Sequence, residues 1–175
     1  MKKYLLDANI FITPYNSYYS FDFGYSFWNQ LKHAICSKRA VVINSVFQEI
    51  CYHKEDDLSE WLKNITDPKP FKETRNASIV HNYGQILRYI QECGYYNHTA
   101  LENWANYKIA DTWIIATAMH FNEERTCEIV TMEQSTGVLS KKQQAKNPKI
   151  PDIAKHFEVS CITLFDFMRE MHFTL

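Results

Sequence analysis

"YLLDANIFI", residues 4 to 12, is an apolar run interrupted by Asp7 and Asn9. Its aliphatic and aromatic residues read as a buried strand. An ionised carboxylate buried without a partner is costly or shifts its pKa, so Asp7 must be paired, stand at a strand end, or hold a cation. The rest of the chain decides which.

Three further stretches share the apolar, β-branched character: "AVVIN" (40–44), "CEIVTM" (127–132) and the "VSCITL" part of the tail 151–171, which reads helix, strand, helix. Helical patterns lie between them. Phe27, Leu31, Ala34 and Ile35 recur at helical spacing within residues 20–39. Ser45 followed by Gln48 predicts a capping box opening a helix over 45–53, which places Glu49 in its first turns. Further helices are expected in 57–65, in 73–93 with Gly84 inside, in 99–107, and in "ADTWIIATAMHF" (110–121) with Asp111 as its cap. Strands alternating with helices predict an α/β domain of three layers, α/β/α, with a central parallel sheet, and ligands in such sheets sit beyond the carboxyl ends of the strands. Only residues 64–71 and 140–151 resemble linkers, and no repeat is visible, so residues 1–175 are expected to form one domain.

Composition narrows the function. The chain has 175 residues, 46% hydrophobic and 22% charged, with net charge −1, so it reads as globular without a global basic field. Nucleic-acid binding would need a local patch or a bound metal. Five scattered cysteines without a CxxC pair are expected to be reduced, mostly buried and cytoplasmic, and neither they nor the histidines have zinc spacing; Cys51 and His53 lack a second pair. The basic start is followed by no cleavage site, and no run approaches the ~18 apolar residues that span a bilayer, so neither a signal peptide nor a membrane segment is expected.

Four acids stand at strand ends or helix starts: Asp7, Glu49, Asp111 and Glu133. Carboxylates packed together repel one another, which protonation or a cation relieves. Hard oxygen ligands without Cys or His select Mg²⁺ or Mn²⁺. The order of these residues resembles the PIN-domain nucleases: an apolar strand ending in D-x-N (Asp7, Asn9), a Glu in the helix after the second strand (Glu49), an Asp opening an apolar helix ("DTWIIATA", from Asp111), and Thr-x-acid closing a late strand (Thr131, Glu133). The aromatic segment near Tyr15 and the tail "KNPKIPDIAKHFEV" look like a PIN-like branch found in bacteria and phages. The fourth acid of the family is commonly Asp, whereas here it is Glu133.

The resemblance implies a Mg²⁺- or Mn²⁺-dependent (endo)ribonuclease acting on single-stranded RNA, with Asp7, Glu49, Asp111 and Glu133 as catalytic metal ligands, Asn9 and Thr131 supporting them, and a toxin role beside an antitoxin protein. A catalytically impaired PIN-like binding or regulatory module is the alternative. A haloacid-dehalogenase-type phosphatase needs D-x-D, which Asn9 breaks, and four glycines form no phosphate cradle. Lys141, Lys142, Lys146 and Lys149, with no acid among them, are candidates for phosphate contacts, or else a solvated loop. The aromatic stretch 11–28 can stack unpaired bases, but core packing or a homodimer interface is the better reading.

Overall fold

The opening apolar run divides into two elements. A computed structural model describes residues 2–52, 55–65, 67–123 and 126–175, and in it strand β1 (Lys3–Leu6) stops one residue before Asp7 while helix α1 (Asn9–Ser17) begins at Asn9. The "IFI" segment is therefore helical and not strand, with Ile10 and Phe11 buried on the helix. Asp7 is left at the junction, only 3% exposed.

Along the chain follow α2 (Tyr25–Cys36), β2 (Ala40–Val41), α3 (Asn44–Cys51), α4 (Asp57–Lys63), a 3₁₀ turn at Glu73–Arg75, α5 (Ala77–Glu92), α6 (His98–Trp104), α7 (Ala110–Asn122), β3 (Cys127–Val130), α8 (Ile150–His156), β4 (Ser160–Ile162) and α9 (Leu164–Glu170). His53, the last residue of the helix expected over 45–53, lies outside the described residues. The four strands form one all-parallel sheet in the order β2-β1-β3-β4, flanked by nine α-helices among the described residues in a three-layer α/β/α arrangement. Leu5 pairs with Val41 on one side and Ile129 on the other, and all but Val41 are completely buried, as a sheet covered on both faces requires.

The strand order fixes where a ligand belongs. From β1 the chain runs outward to β2, and from β3 it runs outward the other way to β4, so the winding reverses between β1 and β3. The crevice at a reversal, beyond the carboxyl ends of those two strands, is the usual ligand position. Asp7 leaves β1 there, and Thr131 leaves β3 beside it.

Part of the aromatic segment packs inward, while Tyr18, Phe23 and Tyr25 stay exposed. Tyr19 stacks on Phe27 with centroids 4.7 Å apart, and Trp28 meets Phe21 at 4.6 Å and Trp61 of α4 at 5.0 Å. Phe27 also touches Phe173, which meets Phe167 of α9, and Phe167 packs on Tyr4 of β1. These rings join α2, α4 and α9 to the sheet. All five cysteines are thiols, with Cys51 and Cys127 buried and Cys36 exposed. No helix among the described residues is long and apolar enough to cross a membrane.

Candidate active site

A chain of hydrogen bonds ties the two central strand ends together. The Asp7 amide donates to the Val130 carbonyl at 3.0 Å. Asp7 Oδ2 accepts from the Thr131 hydroxyl at 2.8 Å and from Asn9 Nδ2 at 3.3 Å. Thr131 Oγ1 in turn accepts from the Glu133 amide at 3.0 Å. Thr131 is 2% exposed, so its hydroxyl orients the Asp7 carboxylate in a setting that water does not reach. Asn9 and Thr131 thus both hold Asp7.

Asp111 arrives from the other side of the fold. It is the second residue of α7, whose cap position is Ile109 with no side-chain cap, so Asp111 is not the N-cap that its position suggested. Its carboxylate lies in the field of the other acids. Its pKa is pushed up to about 7, by burial first and then by Asp7, Glu133 and Glu49, while Lys149 works against them. Asp7 is likewise pushed up to about 6, by burial first; Glu133 and Glu49 add to the rise, and the Thr131 hydroxyl and the Ala8 amide oppose it. Four acids separated by up to 126 residues of chain therefore face one region. Asp7 is its buried member, Asp111 is half-buried, and Glu49 on α3 is exposed.

Glu133 has a different occupation. Oε1 accepts from Lys149 Nζ at 2.8 Å and Oε2 from the Ile150 amide at 2.8 Å, so Glu133 caps the first turn of α8 while paired with a lysine. Lys149 consequently belongs to the acid cluster and does not project with the rest of its loop. Lys141 lies over the Tyr95 ring at 5.4 Å, and Lys142 and Lys146 are exposed. Among the described residues, no three His, Cys, Asp or Glu side chains are drawn up around a common ion position.

The helix that carries Glu49 is anchored by a residue without a local signal. The Ser45–Gln48 box does not form: α3 starts at Asn44, Ile43 occupies the cap position, and no side chain caps it locally. Glu73, completely buried, instead accepts from the Asn44 amide at 2.9 Å and the Ser45 amide at 2.8 Å. The Asn44 amide also donates to the Phe71 carbonyl at 2.8 Å, so Glu73 and Phe71 together satisfy the helix end, and the carboxylate suits its dipole. The cap lies 28 residues downstream of Ser45, beyond any local motif. Glu73→Ala is expected to cost about 1–2 kcal/mol in urea unfolding; a midpoint equal to wild type would show that the cap is dispensable.

Comparison with curated proteins and with solved structures found no match. A family model described as "Domain of unknown function (DUF4411)" matches residues 4–175, and the chain belongs to that family.

Proposed function

We propose that this chain is a PIN-like, Mg²⁺- or Mn²⁺-dependent ribonuclease that hydrolyses phosphodiester bonds of single-stranded RNA. The observation that carries the reading is the meeting of buried Asp7 and half-buried Asp111, with Glu49 and Glu133 in their field, beside the sheet's reversal point. The donors fit the metal. All are hard oxygens, and Mg²⁺ keeps several waters and takes only one or two protein carboxylates, so a preassembled cage of three side chains is not required. Asp7 and Asp111 would hold the ion directly, and Glu49 and Glu133 through water.

A divalent ion bound there supplies Lewis acidity and a water of lowered pKa. The chain supplies the rest. Thr131 and Asn9 fix the Asp7 carboxylate in one orientation, and the rigid start of α7 presents Asp111. Glu49, exposed on α3, would position the attacking water and take its proton. Lys149, at 2.8 Å from Glu133, neutralises part of the acids' charge. The toxin role and an antitoxin partner rest on the resemblance alone, while a homodimer rests on the aromatic stretch 11–28 and a cytoplasmic setting on the scattered cysteines.

The test is cleavage of a fluorophore-quencher single-stranded RNA by purified protein with Mg²⁺, Mn²⁺ or EDTA. Cleavage with either ion and none in EDTA supports the reading. No cleavage with any ion, beside intact binding of the same RNA, favours the second reading, a binding or regulatory module. One observation speaks for that module: both oxygens of Glu133 are already engaged.

The lysine loop offers an independent check. Lys142→Gln with Lys146→Gln is expected to flatten the slope of log affinity against log salt by about 0.7 per lost phosphate contact, about 1.4 for both, alike for different RNA sequences. An unchanged slope would return both lysines to a solvated loop.

A further inference from the structure

We propose that a second site, remote from the acids, binds a small amphipathic anion: an apolar body of one or two rings or a short alkyl chain, carrying a single negative head. The site is a cavity of about 320 Å³ beside the edge strand β2, among the ends of α2 and α4 and the segment around Phe71. None of the four acids lines it. Val42, Leu62 and Phe71 represent its walls, which are overwhelmingly hydrocarbon, while Lys3, Lys38 and Lys69 supply its charge, and no Asp or Glu is among the described residues that line it.

Size, wall and charge point to the same class of ligand. The volume falls at the lower end of the range of small-molecule sites, ~300–1,000 Å³. Concave hydrocarbon is poorly hydrated, so an apolar body that fills it is favoured. Lysines on a lining whose described residues include no acid discriminate by charge: Lys38 and Lys69, with Lys3 donating to the Lys38 carbonyl, attract an anion and repel a cation of equal size. Lysines beside an edge strand can also serve only to deter pairing with another sheet. That role needs no cavity, and it predicts no ligand.

The probe is 1-anilinonaphthalene-8-sulfonate, an apolar ring system with one negative charge, titrated into the full chain while near-ultraviolet circular dichroism reports native packing. Saturable binding at one site is expected. Decanoate and 2-naphthoate are the competitors, and whichever is stronger tells alkyl from aromatic ligands. Decanol and decylammonium should compete roughly tenfold more weakly or worse. Lys38→Glu combined with Lys69→Glu, both exposed positions, should weaken the anions at least about tenfold. Val41→Trp, which fills the cavity from β2, should abolish competition; should it fail to fold, the lysine pair still decides. Non-saturable binding, equal competition by decylammonium, or wild-type affinity in the lysine variant overturns the proposal. RNA cleavage is not part of the readout, so this site and the nuclease reading fail separately.

Discussion

Asp7→Asn and Asp111→Asn are each expected to lower metal-dependent cleavage of single-stranded RNA by more than about 100-fold while leaving the fold intact. Groups that merely support a metal ligand cost about 10–100-fold when removed, so a direct anionic ligand should cost more. The substitution is nearly isosteric, and the amide carbonyl that Asp7→Asn introduces can still accept from the Thr131 hydroxyl. Far-ultraviolet circular dichroism and the urea slope should therefore match wild type. Thr131→Val separates ligand from support: it keeps the carboxylate but frees its orientation, and should lie within about 10–100-fold of wild type. Wild-type cleavage by Asp7→Asn, or persistence in EDTA, would identify a contaminating nuclease and sink the proposal.

The sheet was legible because its central strands, β1 and β3, are covered on both faces. Lys3–Leu6, Ala40–Val41, Cys127–Val130 and Ser160–Ile162 each fall within or overlap one of the four apolar stretches that composition singles out. The boundaries were less so. Ile10 and Phe11 are as buried on α1 as they would be on a strand, and a run of three apolar residues has no period by which to tell the two apart. Pro14 inside α1 further disguises that helix.

The acids were legible as residues and only partly as geometry. Their place at strand ends follows from the α/β pattern, and the strand order brings Asp7 and Thr131 together. Long-range partners leave no local mark. Glu73 reaches back to α3, and Lys149 reaches Glu133 across 16 residues. Lys149 looked like one more loop lysine because the sequence shows its charge and not its counterion. Asp111 and Ser45 were both read as caps from local motifs, each two residues past the actual cap positions, Ile109 and Ile43; at α3 a distant residue, Glu73, and not a local side chain, meets the first amides.

The second large effect separates a working metal site from a vestigial one by stability alone. Folding raises Asp7 from the ordinary 3.8 to about 6 and Asp111 to about 7. Between those values the folded chain holds more protons than the unfolded one, so stability falls as pH rises from about 4 to 7 and stays low above it. At pH 7.5, carrying the Asp7 charge costs on the order of 3 kcal/mol. Asp7→Asn relieves that charge and forfeits about 1 kcal/mol of bonding to the Ala8 amide. The metal-free variant should therefore melt several degrees above wild type at pH 7.5, an advantage that fades as pH is lowered toward 4. Mn²⁺ reverses the order. An ion at a hundred times its Kd adds about 2.7 kcal/mol to wild type, which for a chain of this size is about 5–10 °C. The Asp7→Asn variant lacks the anionic ligand and should lose most of that rise. Thermal melts of both proteins across Mn²⁺ concentrations, with Ca²⁺ and EDTA as controls, measure both signs. A wild type that does not respond to Mn²⁺, or a variant that responds equally, would show that the acids share no ion, and the binding module would then account for the cluster better than the nuclease.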